Sequence, residues 1–308
     1  MKSYASLHKG FGDTVSEFWN IYLAKTQDVA GYVAGVVAKS KEMEQLTEEQ
    51  LGMKLEDLHI LEIGAGQQLL RLRYFAAKNQ VTAVDYDVIP QGLAPAAYWK
   101  VLRQNGALRL VKTVLRKIAG IDRACWRELE KRTGQNVRGE LRVVQGDAHA
   151  LPWADSSFDF IYSFSVFGHL ENPTRCLEEA VRVLRPGGGM CIGIHLYTSD
   201  SGCSDPRIFS GHRDQIAYWA HLRPGHEQEV RPNAYLNRWT LAQWEGLFHR
   251  QCPGVSLHPH VEDESQDLEG ELRRLRSQGE LEKYSDQELL TADLWALWKK
   301  PATSSQLA

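Results

Sequence analysis

The chain has 308 residues, 43% hydrophobic and 24% charged, a length that suits one large domain or two modest ones. That composition excludes wholesale disorder, and 25 Gly with 11 Pro exclude a collagen-like repeat. Thirty-six basic against 39 acidic residues give a formal net charge of -3, which excludes a uniformly basic nucleic-acid coat. The five cysteines, Cys125, Cys176, Cys191, Cys203 and Cys252, are odd in number and form no C-x-x-C pair. Reduced, buried thiols are therefore expected, rather than a disulfide scaffold or a zinc knuckle. Met1-Lys2-Ser3-Tyr4 leads into no apolar signal segment, and no apolar run approaches the ~20 residues that span a membrane. A cytoplasmic location is the expectation.

In chain order, the first 57 residues read as helices. Val15, Phe18, Trp19, Tyr22 and Leu23 recur at the spacing of one helical face, and Tyr32, Val33, Val36 and Val37 predict a second helix. Thr47 with Gln50 fits a capping box opening a short helix that ends near Leu58. The texture then changes. His59 to Ile63 is a short apolar run ending in Gly64-Ala65-Gly66, and a helical pattern follows through Leu69, Leu70, Leu72, Tyr74 and Phe75. Val81 to Val84 predicts a second strand, Leu141 to Val144 a third and Phe158 to Phe164 a fourth. A helix through Cys176, Leu177, Ala180, Val181 and Leu184 is ended by Arg185-Pro186-Gly187-Gly188-Gly189, and Met190 to Leu196 is the next strand. Thr240 predicts the N-cap of a helix through Leu241, Trp244, Leu247 and Phe248. Gly254 to Leu257 and Asp293 to Lys299 predict the closing strands, and Pro301 stops the last one. Strands alternating with helices imply a parallel sheet covered on both faces.

The turn at Glu62-Ile63-Gly64-Ala65-Gly66 has its own chemistry. Glycines let the main chain bend sharply and let a ligand approach it, and the next helix offers unpaired N–H groups. The third glycine of a dinucleotide pattern is missing, because Gln67 and Gln68 follow, which counts against a pyrophosphate cradle. Asp85 ends the second strand 21 residues after Gly64, placed to accept from ribose hydroxyls. Glu62 inside the turn would repel a pyrophosphate but favour a cationic ligand.

These residues together resemble the class I S-adenosylmethionine-dependent methyltransferases. Leu61 to Gly66 matches their first motif, and Val84-Asp85 the acidic end of strand two. Gly146 to Trp153 is similar to their adenine-binding segment, Ser157 to Ser163 to their strand-four motif, and Leu184 to Gly188 to the turn before strand five. The resemblance covers roughly residues 55–200. It implies an α/β, Rossmann-like fold: a mostly parallel seven-stranded sheet with an antiparallel last strand, here with a helical N-terminus and a helical insertion. It implies S-adenosylmethionine as donor and S-adenosylhomocysteine as product. By the family pattern, Gly64 and Gly66 meet the methionine part, and Glu62 orients it. Asp85 holds the ribose, with Tyr86 beside the adenine. Asp147 and Ala148 bind the adenine amino group and ring, and Ser163 and Phe164 line the floor.

The acceptor side is read from residues beyond the motifs. The strand-four end lacks the Asn/Asp-Pro-Pro-aromatic element of nucleobase amine methylation, so nucleic acid is disfavoured as a partner. His169 and His195 are the candidate bases for direct displacement on the sulfonium methyl, since imidazole titrates near neutrality. Tyr197, His221, Arg223, Tyr235, Asn237 and Arg238 are the candidate acceptor-binding residues, the last five in the segment where this family places a lid. The acceptor is expected to be a small molecule, a saccharide or a lipid-linked intermediate, modified on O or N. Competing readings are an RNA methyltransferase and a non-catalytic cofactor-binding protein. His258-Pro259-His260 repeats no known ligand spacing, and no functional metal is expected.

The small net charge hides an asymmetry. Residues 86–141 carry 11 bases and 5 acids, while 261–289 carry 10 acids and 4 bases. Within 100–117 there are six bases and no acid, and Leu108, Val111, Leu115 and Ile118 form the apolar stripe of an amphipathic helix. Such a face suits an anionic acceptor, an acidic partner or a membrane surface; otherwise it is a solvated face paired within the chain. The expected organisation is a helical cap over 1–58 and a cofactor core over 59–200 with its basic insertion at 86–141. A lid with closing strands follows over 201–300, then a tail over 301–308.

Overall fold

The computed structural model describes residues 28–209, 212–261 and 268–302. The helix expected around Val15 to Leu23 lies outside the described residues. The described chain forms two compact units. The first comprises residues 28–164, 172–192 and 297–302; the second comprises 165–171, 193–209, 212–261 and 268–296.

Seven strands form one sheet: β1 (His59–Ile63), β2 (Gln80–Asp85), β3 (Arg142–Gln145), β4 (Phe158–Phe164), β5 (Leu184–His195), β6 (Ser256–Val261) and β7 (Thr291–Lys299). Their order is β3-β2-β1-β4-β5-β7-β6. β1 is buried at four of its five positions, as a strand covered on both faces must be. It pairs in parallel with β2 and with β4, and β2 pairs in parallel with β3. The chain therefore winds outward from β1 to β3, then returns to β4 on the other side of β1. Ligands of open α/β sheets bind at the carboxyl ends of strands where the order reverses in this way. β7 is antiparallel: Leu196 N–H bonds Ala292 O at 2.8 Å, whereas Gly187 N–H bonds Lys300 O at 2.9 Å.

In the first unit, α1 (Val29–Leu51) buries Val33, Val37, Ser40, Met43 and Thr47 at helical spacing. The capping box expected at Thr47 does not form. Thr47 lies inside the continuous helix with its side chain buried, and the true N-cap is Asp28, whose carboxylate accepts from Gly31 N–H at 2.7 Å. Gly52 at φ 62° ends the helix. α2 (Leu70–Ala76) follows the glycine turn. The insertion between β2 and β3 folds into α3 (Pro95–Asn105), α4 (Ala107–Ile118) and α5 (Ile121–Thr133), so the single helix read over 100–117 is broken at Gly106. α6 (Pro173–Val183) precedes β5.

β5 begins at Leu184, so Arg185 to Gly189 belongs to the strand instead of forming a turn before it. The reason is close packing. A Cβ on Gly188 would sit 2.8 Å from Asp159 O, and only glycine lets these main chains approach so closely.

The second unit contains α7 (Pro206–Phe209), α8 (Leu241–Gln251), α9 (Leu268–Ser277) and α10 (Asp286–Leu290). Trp219, Leu268, Leu272, Leu275, Leu281 and Leu289 form one of its apolar clusters. α8 has the capping box read from Thr240, completed by Gln243. β6 starts at Ser256, two residues later than expected, and runs through Pro259, which an edge strand tolerates. All five cysteines are buried free thiols.

Candidate functional site

The first unit carries all nine candidate cofactor residues. After β1 the chain turns through Gly64 at φ 79° and Gly66 at φ 64°, conformations that side chains with a Cβ rarely adopt. A Cβ on Gly66 would enter open space, so the main chain there is bare to a ligand. Gly66 N–H donates to Asp85 Oδ2 at 3.1 Å, and Asp87 N–H donates to Oδ1 at 2.9 Å. Burial pushes the Asp85 carboxyl above the ordinary carboxylate range, against the pull of those two N–H groups. Gly146 N–H donates to Asp85 O at 3.0 Å and brings the next segment alongside. In it Asp147 Oδ1 accepts from His149 N–H at 2.9 Å and lies 2.6 Å from His149 Nδ1, while Ala148 is buried. Tyr86 is exposed, and its carbonyl accepts from Gln145 Nε2 at 3.2 Å.

Glu62 is 4% exposed, and its Oε2 has no hydrogen-bond partner among the described residues. Burial raises its pKa to about 7, with the Arg71 guanidinium and then the Tyr162 hydroxyl acting in the opposite direction, although the hydroxyl makes no well-formed hydrogen bond to Oε2. A buried, unpartnered carboxylate oxygen is unfavourable, and a cationic group brought by a ligand relieves it. That orphaned oxygen, beside a bare glycine turn, fits an aminoacyl cofactor. Arg71 lies in the first turn of α2, 4.1 Å above the Phe164 ring centroid. Ser163 is fully buried and donates its hydroxyl to Ile63 O at 2.8 Å, which locks β4 to β1 where the strand order reverses.

The insertion braces this turn. Arg109 forms an ion pair with Asp87, Arg116 Nη1 donates to Gln67 Oε1 at 3.5 Å, and Gln68 Nε2 approaches Cys125 Sγ at 3.7 Å. Gln67 and Gln68 stand where a dinucleotide site needs its third glycine, and here they hold helices instead.

The second unit carries the candidate bases and acceptor residues. His195, at the end of β5, has Asp293 Oδ1 3.0 Å from Nδ1 and Ser201 Oγ 3.0 Å from Nε2. This Ser–His–Asp string orients the ring and leaves Nε2 as the proton acceptor. His169 Nδ1 is 2.7 Å from Tyr235 O, and burial holds its pKa below the usual value, so its ring stays neutral near pH 7. His221 Nε2 donates to Tyr197 O at 2.7 Å, and burial lowers its pKa to about 4. Arg223 is paired with Glu280 and also donates to Tyr218 O at 3.1 Å. Asn237 Nδ2 donates to Phe167 O at 2.8 Å and to Leu170 O at 3.1 Å. Replacing Asn237 with Ala removes a donor from both carbonyls, of which Phe167 O keeps the Leu170 N–H at 3.2 Å, and is expected to cost about 1–3 kcal/mol, read as a lower urea midpoint at unchanged slope. Arg238 is different. It is exposed, adopts φ 59°, and its guanidinium lies 5.8 Å from the Tyr197 ring centroid. A non-glycine residue held in this region stores strain, a frequent mark of a ligand contact.

Three residues of these clusters went unread in the sequence. Arg71 could have been noticed as a cation in a helix's first turn, where the dipole disfavours it. Asp293 could have been noticed as the one acid in an otherwise apolar strand. Ser201 carries no signal of its own.

Residues 105–192 match a family model described as a methyltransferase domain. A ubiquinone/menaquinone biosynthesis C-methyltransferase of Roseobacter denitrificans is 35% identical over 111 residues, 32% of this chain and 44% of that protein. A malonyl-[acyl-carrier protein] O-methyltransferase of Methylococcus capsulatus is 52% identical over 48 residues, 16% of this chain and 18% of that protein. The chain thus spans less than half the length of these curated relatives. A solved structure of Haemonchus contortus phosphoethanolamine N-methyltransferase 2 with S-adenosyl-L-methionine is 14% identical, with a TM-score of 0.46, over 84% of this chain and 52% of that one. Together with the β3-β2-β1-β4-β5-β7-β6 sheet and the glycine turn with its acidic neighbours, the match over residues 105–192 shows that the chain carries a methyltransferase domain.

Proposed function

We propose that the protein is an S-adenosylmethionine-dependent O-methyltransferase of a small-molecule acceptor, saccharides and lipid-linked molecules included. The observation that carries this reading is the buried Glu62 carboxylate with an unpartnered oxygen on the glycine turn beside Asp85. When bound, the cofactor supplies an electrophilic methyl group carried on sulfur. Glu62 faces its ammonium and Arg71 its carboxylate, while Gly64 and Gly66 keep the main chain clear. Asp85 binds the ribose hydroxyls, Tyr86 flanks the adenine, and Asp147 and Ala148 meet the adenine edge. Ser163 and Phe164 underlie it. On the acceptor side His195, oriented by Asp293, takes the hydroxyl proton at Nε2, in the place that Ser201 Oγ fills here. This pair favours a hydroxyl, because a neutral amine attacks without first losing a proton. Tyr197 and Arg238 contact the acceptor; His169, His221, Arg223, Tyr235 and Asn237 hold the surrounding loops.

The titration of Glu62 tests the cofactor half. Its folded value of about 7 lies above the ordinary 4.5, so the protonated form is the one burial favours. Without ligand, this group lowers stability as pH rises from about 4.5 to 7, and the effect is constant above that. A ligand ammonium favours the charged form, so the sign for binding is opposite. Affinity for S-adenosylhomocysteine, measured by titration calorimetry, is expected to fall up to about tenfold per pH unit below 7. Glu62→Gln is expected to bind more weakly with no such dependence. A parent affinity unchanged from pH 5.5 to 8 would sink the Glu62 assignment.

A further inference from the structure

α4 is amphipathic, and it is seated with its polar side inward. Thr113 is buried, Arg109 pairs with Asp87, and Arg116 and Lys117 lie 3.0 and 2.8 Å from the buried Asp122. On the opposite side Val111, Leu115 and Ile118, three or four residues apart, are 52%, 38% and 77% exposed. α3 buries the apolar Val101 but leaves Trp99 60% exposed, and Leu93, just before it, is 76% exposed. A helix of a globular protein normally buries its apolar stripe. Large apolar side chains exposed together on two successive helices mark an interaction surface.

Charge identifies what meets that surface. Residues 88–121 contain six bases and no acid. Three of the bases are turned inward, but Lys100 and Arg103 are exposed and have no ion-pair partner among the described residues. Arg103 stands one helical turn from Trp99. A second copy of the chain would set the same bases against one another. An anionic bilayer satisfies both features: aliphatic side chains and an indole enter the boundary of headgroups and acyl chains, and the cations meet phosphates. We propose that the α3–α4 hairpin docks the protein on an anionic lipid surface. The contact is peripheral, since no helix among the described residues is long and apolar enough to cross a membrane. The same α4 braces the glycine turn through Arg109 and Arg116, so the docking element and the cofactor turn share one helix.

The proposal does not rest on methyl transfer, and vesicle sedimentation tests it with no cofactor present. The full chain is expected to partition onto phosphatidylglycerol/phosphatidylcholine vesicles at least tenfold more strongly than onto phosphatidylcholine alone. Trp99→Ser with Ile118→Ser is expected to lower that partition at least tenfold. Lys100→Glu with Arg103→Glu is expected to lower it about 25-fold or more, at about fivefold per charge. All four side chains are exposed, so the melting temperature and the affinity for S-adenosylhomocysteine are expected to stay at parent values. Equal partition onto neutral and anionic vesicles would overturn the proposal, as would full retention by the Trp99→Ser/Ile118→Ser variant. A dimer seen by light scattering that these substitutions dissolve, with no vesicle binding, would assign the face to a second copy and overturn it too.

Discussion

Asp85→Ala is expected to weaken binding of S-adenosylhomocysteine by about 100-fold or more while the fold survives. The carboxylate already accepts one N–H at each oxygen, from Gly66 at 3.1 Å and Asp87 at 2.9 Å. An ionised carboxylate offers about four lone-pair sites, so two remain for a vicinal diol. Hydrogen bonds to a charged group contribute about 1.5–3 kcal/mol each, and two of them correspond to roughly 10²- to 10⁴-fold in affinity. The fold is expected to tolerate the change, because burial already disfavours the charged form of this carboxyl. Asp85→Asn keeps one accepting oxygen and is expected to fall between parent and Ala. Calorimetry gives the affinities, and thermal denaturation checks the fold. A dissociation constant for Asp85→Ala within threefold of the parent would show that the ribose is held elsewhere.

How much of this was legible beforehand differs from part to part. β1, β2, β4 and β7 are apolar runs whose surroundings are nearly all core, so their periodicity and their position coincide. The glycine turn was legible because its chemistry is local: Gly64 and Gly66 need a positive φ, and Asp85 need only end the neighbouring strand. The glycines at 187–189 were misread as a turn. The demand at Gly188 is for close approach to the Asp159 carbonyl, and at Gly189 to the side chains of Met53 and Phe160, which depends on what packs there and not on the run itself. Thr47 shows the same limit, since a capping pattern inside a longer helix loses to the burial of α1. The insertion shows it most clearly. The spacing of Val111, Leu115 and Ile118 defines one face of α4, but spacing says nothing of which face points inward. The ion partners Asp87 and Asp122 decide that, and they draw the basic side in. His195 was legible as a candidate, but the carboxylate that orients its ring was not. Asp293 lies 98 residues away in sequence and meets it only because β7 inserts beside β5.

His195→Ala is expected to reduce methyl transfer by about 10²- to 10⁴-fold, the usual contribution of a positioned general base. Every residue proposed to hold the cofactor belongs to the first unit, so affinity for S-adenosylhomocysteine is expected to remain at the parent value. Asp293→Asn separates orientation from proton uptake. An amide at the Nδ1 side no longer stabilises the imidazolium, so the rate is expected to fall about tenfold or more. The acid limb of the pH–rate profile is expected to move to lower pH, because the base protonates less readily without the carboxylate. Ser201→Ala removes only the hydroxyl occupying Nε2, which the acceptor replaces, and is expected to change the rate less than tenfold. The measurement is the yield of a product heavier by one methyl, by mass spectrometry, from an extract fraction that the parent methylates. Full activity in His195→Ala would remove the base from the reaction and leave positioning alone to drive it. Inactivity of Ser201→Ala with an active Asp293→Asn would instead make the serine hydroxyl the group that meets the acceptor proton.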